Sequence, residues 1–148
     1  MNKYMSQALE EARRGLENHE GGPFGAVIVK DGKIISSSHN TVLKSCDPTA
    51  HGEVNAIREA SKILKTHDLS GCVLYTTAQP CPMCLSAIIW SNIKDVYYGS
   101  DFKHTALIGF RDEDIYDYIK GKNNMLNLKQ IDSLECDKLQ DEYDDKIY

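Results

Sequence analysis

Apolar side chains at Met5, Ala8, Leu9, Ala12 and Leu16 recur every three or four positions, which predicts an amphipathic helix over 5–17. Two strand-like runs follow, Phe24–Lys30 and Lys33–Ser38. They flank Asp31-Gly32, a dipeptide suited to a type I′ hairpin turn. Helical spacing returns at Val54, Ile57, Ala60 and Leu64, and Thr49 is placed to cap that helix. Cys72–Thr77 reads as a buried strand. Pro82 suits the first turn of a helix reaching about Ser91. Asp95–Gly99 is a further strand and Leu126–Ile131 a fifth. A short helix near Glu113–Lys120 and a tail helix from about Ser133 complete the order α-β-β-α-β-α-β-α-β-α. A hairpin followed by strand–helix alternation implies a five-stranded mixed sheet in a three-layer α/β/α domain.

With 148 residues, 41% apolar and 26% charged, the composition is that of a globular chain, and residues 1–148 are read as one domain. No apolar run approaches the roughly 18 residues of a membrane span, and MNKYMSQALEEARR lacks the apolar core of a secretory signal. The expectation is a cytoplasmic protein without a membrane partner. The net charge of −5 resides entirely in residues 132–148, where seven acids face two lysines. An acidic arm on a neutral body offers phosphate backbones no footprint, so nucleic acid is not an expected partner.

Candidate chemistry concentrates in His51-Gly52-Glu53 and Pro80-Cys81-Pro82-Met83-Cys84. Two thiolates three apart at a helix start, joined by an imidazole, form a zinc set with three protein ligands and an open fourth position. One Zn²⁺ per chain on His51, Cys81 and Cys84 is therefore expected. Glu53 need not ligate and is free to move protons as a general acid–base. His51 and Glu53 diverge by about 200° on an ideal helix, so both serve one site only from the helix's first turn. Two other readings stay open. A structural zinc would take a fourth ligand from Cys46, His39 or Cys136, and a redox Cys-x-x-Cys pair would need neither His51 nor Glu53.

His-x-Glu followed by Pro-Cys-x-x-Cys is the signature of zinc-dependent nucleobase deaminases. GGPFGAVIVKDG at 21–32, DPTAHGEVNAIR at 47–58, PCPMCLSAIIW at 80–90 and GFRDEDIY at 109–116 further resemble the bacterial guanine deaminase family. The resemblance implies a cytidine-deaminase-like fold and hydrolysis of guanine, a small purine, to xanthine and ammonia. It implies Phe24 stacking on the base beside His51, Asn40 reading it, and Gly52 offering its backbone N–H. Trp90 and Tyr148 would lie near the pocket, and Asp112 would be a second catalytic carboxylate beside its competitors Glu113 and Asp114. It also implies a homodimer whose arm, 132–148, swaps to the neighbouring pocket. From the residues alone, Trp90 reads equally as core, core packing is the alternative for Phe24, and a strand-end turn residue that for Asn40.

Gly52 stands where the family usually has alanine, Gln79 where it often has glutamate, and Arg111 where it often has aspartate. These departures bear on the substrate, which leaves guanosine, cytosine, an aminotriazine or tRNA adenosine as alternatives. A zinc-stabilised binding domain is a third reading, and the uncoordinated Glu53 argues against it.

Overall fold

A computed structural model describes residues 1–148. Helix α1 (Lys3–Glu17) begins at Asn2, whose side chain accepts the backbone N–H groups of Tyr4 and Met5 at 2.9 and 3.0 Å. Strands β1 (Gly25–Lys30) and β2 (Lys33–His39) form the expected antiparallel hairpin. Its turn residues Asp31 and Gly32 both have positive φ, 50° and 75°. Strand β3 (Val73–Ala78) joins β1 antiparallel, and β4 (Asp95–Ser100) joins β3 in parallel, giving the order β2-β1-β3-β4.

The central strand β1 explains the layering. Ala26 and Ile28 point to one face, where they pack with Ala56 and Ala60 of α3 (Gly52–Leu64) and Ile88 of α4 (Pro82–Trp90). Val27 and Val29 point to the other, against Ala8 of α1. GAVIV is a continuous apolar run because both of its faces are covered. The alanines of α1 and α3 let the helices lie close to the sheet. On α1 the buried stripe is Ala8, Glu11, Ala12 and Gly15, while Leu9 and Leu16 are exposed.

Three expectations change. The sheet has four strands, not five: residues 126–131 adopt no regular structure, and Leu126, Leu128 and Ile131 are exposed. The alternation there suits a strand, but a strand needs a neighbour, and none meets this segment within the chain. Thr49 does not cap α3, because its N–H and hydroxyl both bond Asp47 Oδ1, at 2.8 and 2.7 Å. The helix starts instead after His51, which holds the N-cap position in an extended conformation. Short helices α2 (Val42–Ser45) and α5 (Phe102–Leu107) are additional; α6 (Asp112–Ile119) and the tail helix α7 (Ser133–Asp141) were anticipated. No helix is long and apolar enough to cross a membrane.

Candidate zinc and acid–base site

The N-termini of α3 and α4 meet beside the end of β3. As the N-cap residue, His51 projects off the helix axis, while Glu53 enters on the first turn. The late helix start thus removes the divergence that two positions on one ideal helix would impose. Cys81 is the N-cap of α4, its Sγ accepting the Cys84 N–H at 3.5 Å, and Pro82 occupies the first turn. His51 Nδ1 lies 3.6 Å from Cys81 Sγ and 3.5 Å from Cys84 Sγ, and the three ligand atoms all fall within 4.8 Å of one another.

These spacings fit a tetrahedral metal. Zn–N and Zn–S bonds of about 2.05 and 2.3 Å place nitrogen and sulfur roughly 3.5 Å apart. No fourth His, Cys, Asp or Glu joins the group, so the set matches an open site rather than a closed structural one. His39, considered as a fourth ligand, is held elsewhere: Nδ1 meets Glu11 Oε2 at 2.9 Å and Nε2 meets Glu20 Oε2 at 2.6 Å. Cys46 and Cys136 are exposed. A redox pair would leave unexplained why an imidazole sits against both sulfurs.

The charges follow the geometry. A hydrogen bond from the Cys84 thiol, then His51 and the Cys84 N–H, pull the Cys81 thiol far below its ordinary value. Sharing that proton, burial and the nearby Glu53 push Cys84 up. The pair gives up one proton readily and holds the second, which zinc binding must displace. The bond to Cys81 pushes His51 up, against burial. Burial pushes the Glu53 carboxyl up, and that of Asp112 likewise, with Cys81 adding to both.

Glu53 is buried, with Oε1 accepting from the Thr76 hydroxyl at 3.0 Å and Oε2 3.4 Å from Cys84 Sγ. A cavity of about 30 Å³ opens beside it, lined by Phe24, Asn40, His51, Glu53, Cys81 and Asp112 together with Ala78, Gln79 and Phe110. Asp112 lines it and its neighbours Glu113 and Asp114 do not. Asn40 is buried, and its Oδ1 accepts the Val42 N–H at 3.0 Å, which leaves the side-chain NH₂ as the half without a partner. Gly21 packs directly on it: a Cβ there would lie 2.2 Å from Asn40 Oδ1. The His39 bridge to α1 anchors the strand end from which Asn40 extends.

Gly52 is buried against Phe24 and Gly25; a Cβ would stand 3.3 Å from the Phe24 carbonyl, so alanine would fit with a small adjustment. Trp90 and Tyr148 are not brought to this cavity. Trp90 ends α4, about 9 Å along the helix from Cys84 and about 13 Å from Cys81. Its ring packs on Tyr148 of the same chain at 5.8 Å, and both are exposed. Conversely, Phe110 was not anticipated. It meets Phe24 edge to face at 4.9 Å, carried on a turn where Gly109 has φ +98°. Its motif was visible in the sequence, but no periodicity says which way a loop aromatic points. Thr76 was also missed, because Tyr75 and Thr77 beside it carry hydroxyls too and nothing local singles out the one that faces Glu53.

The family described as the cytidine and deoxycytidylate deaminase zinc-binding region matches residues 1–100. The guanine deaminase of Bacillus subtilis (strain 168) is 50% identical over 113 residues, covering 76% of this chain and 72% of that protein. A tRNA-specific adenosine deaminase of Aquifex aeolicus (strain VF5) is 46% identical over 106 residues, 71% and 70% of the two chains. The crystal structure of a guanine deaminase from Bacillus subtilis superposes with a TM-score of 0.86 at 39% identity, covering 100% of this chain and 99% of that one. An open His-Cys-Cys set with a buried carboxylate beside it, on a sheet shared with these enzymes, makes this chain a member of the zinc-dependent cytidine and deoxycytidylate deaminase family.

Proposed function

We propose that the chain hydrolyses guanine to xanthine and ammonia. The observation that carries this reading is the small cavity at which Phe24 and Phe110, in edge-to-face contact, meet His51, Glu53 and Asp112. At about 30 Å³ it holds roughly two waters, so the aromatic rings must part to admit even a base. An aromatic lining of that kind suits a flat, free heterocycle. His51, Cys81 and Cys84 would hold the zinc, which would supply Lewis acidity for activating water near neutral pH. Glu53 takes the proton from the attacking water and delivers it to the departing amino group at C2. The Asn40 NH₂ donates to an acceptor on the purine, while Asp112 handles the ring N–H that guanine carries and adenine lacks on that edge. The full-length similarity to a guanine deaminase supports the same choice.

One observation favours a second reading, deamination of adenosine in tRNA. The mouth of the site is a groove of about 450 Å³ lined by Gly21, Gly22, Asn40, Phe110 and Arg111, and the Arg111 guanidinium has no carboxylate partner. Such a groove could seat a flanking nucleotide. Ammonia release from guanine, guanosine, adenine, cytosine and an anticodon stem-loop separates the two. Guanine should be fastest, because a site built to bond its substrate leaves buried groups unpaired with analogues. A tenfold preference for the stem-loop or for cytosine would replace the guanine assignment.

We also propose a homodimer with exchanged arms, working in the reducing cytoplasm where thiolate ligands persist. The unpaired edge of β4, the exposed apolar residues of 126–131 and an α7 that buries no residue all lack a partner within one chain. Deleting residues 144–148 should lower turnover. Co-refolding Glu53→Gln with Tyr148→Ala should then restore part of it, through one intact composite pocket per heterodimer. Restoration of nothing would assign the arm to its own subunit.

A further inference from the structure

We infer that Thr76 is a positioning residue, whose hydroxyl seats the Glu53 carboxylate so that Oε2 is the oxygen turned toward the cysteine–histidine cluster. Along β3 and the residue that precedes it, positions 72, 74, 76 and 78 share the face that packs on α3 and α4. Cys72 and Leu74 belong to the apolar core there. Thr76 is the polar member of this row and is only 1% exposed. A buried hydroxyl needs a partner, and the single hydrogen of this one has two acceptors in reach, the nearer Glu53 Oε1 at 3.0 Å and Ala78 O at 3.2 Å.

A threonine chosen only for its β-branched shape would be satisfied by the bond back to its own strand. The contact with Glu53 instead crosses from the sheet to the first turn of α3, and no other side chain bonds Oε1. Glutamate has three rotatable side-chain bonds. With Oε1 tethered to the rigid sheet, Oε2 is left 3.4 Å from Cys84 Sγ. Misplacing a reacting group by about 1 Å can cost as much as a hundredfold in rate, so a tether of this kind acts on turnover rather than on substrate affinity.

The inference rests on the acid–base role proposed for Glu53, and the experiment separates the two. Thr76→Val keeps the branched shape and removes the hydroxyl; Thr76→Ser keeps the hydroxyl. Expected are a fall in kcat of at least about tenfold for Thr76→Val with KM and zinc content unchanged, and recovery to within about threefold in Thr76→Ser. Crystal structures of the metal-free variants should show Glu53 Oε1 displaced in the valine protein and seated in the serine protein. Should Thr76→Val not fold, Thr76→Ala carries the same expectation. Wild-type kcat in Thr76→Val, or a Thr76→Ser protein as slow as the valine one, overturns the assignment to Thr76. If Glu53→Gln itself keeps full turnover, it is the role of Glu53 that fails.

Discussion

Glu53→Gln is expected to lower turnover by at least about a hundredfold while leaving zinc at one per chain and the melting temperature close to that of the parent. A positioned acid–base group contributes about 10²–10⁴-fold, and the amide can neither take nor deliver the proton. The fold should tolerate the change because glutamine keeps an acceptor for the Thr76 hydroxyl, and the glutamate carboxyl is already pushed toward its neutral form by burial. Steady-state ammonia release on metal-loaded protein, together with zinc analysis, measures both halves. A variant that keeps more than half the parent rate removes Glu53 from the chemistry and with it the reason to separate this carboxylate from the metal ligands.

Cys81→Ala is expected to lose most of the zinc and essentially all turnover. The change removes one of three ligands and the sulfur that accepts the Cys84 N–H, so a helix-start donor loses its partner as well. Acid should have a related effect on the parent. Zinc requires His51 neutral and both thiols ionised, and His51 is pushed up, so protons displace the metal from it earlier than from an unperturbed histidine as pH falls. Zinc per chain, measured after dialysis over a pH series, should decline on acidification and be low at every pH in the variant. Undiminished zinc in Cys81→Ala would exclude the proposed site.

Read without coordinates, the chain already discloses its three metal ligands and the carboxylate beside them. His51, Glu53, Cys81 and Cys84 are legible because metal chemistry restricts both residue type and spacing, and because Pro82 and the apolar stripe of α3 announce helices beginning beside them. The hairpin, β3, β4 and the main helices are legible for a similar reason: hydrogen-bonded local structure imposes its period on the side chains that pack. Contacts between distant segments impose no such period. Nothing local says that Phe110 closes on Phe24, or that Thr76 reaches across to Glu53. The start of α3 turned on a competition between two bonding patterns at Thr49, which Asp47 won. The alternation over 126–131 states a preference for pairing but cannot supply the neighbouring strand, and the four-stranded sheet is the result. Periodicity reports what each segment can bury; tertiary structure decides which of those faces meet, because that depends on distances between residues far apart in the chain.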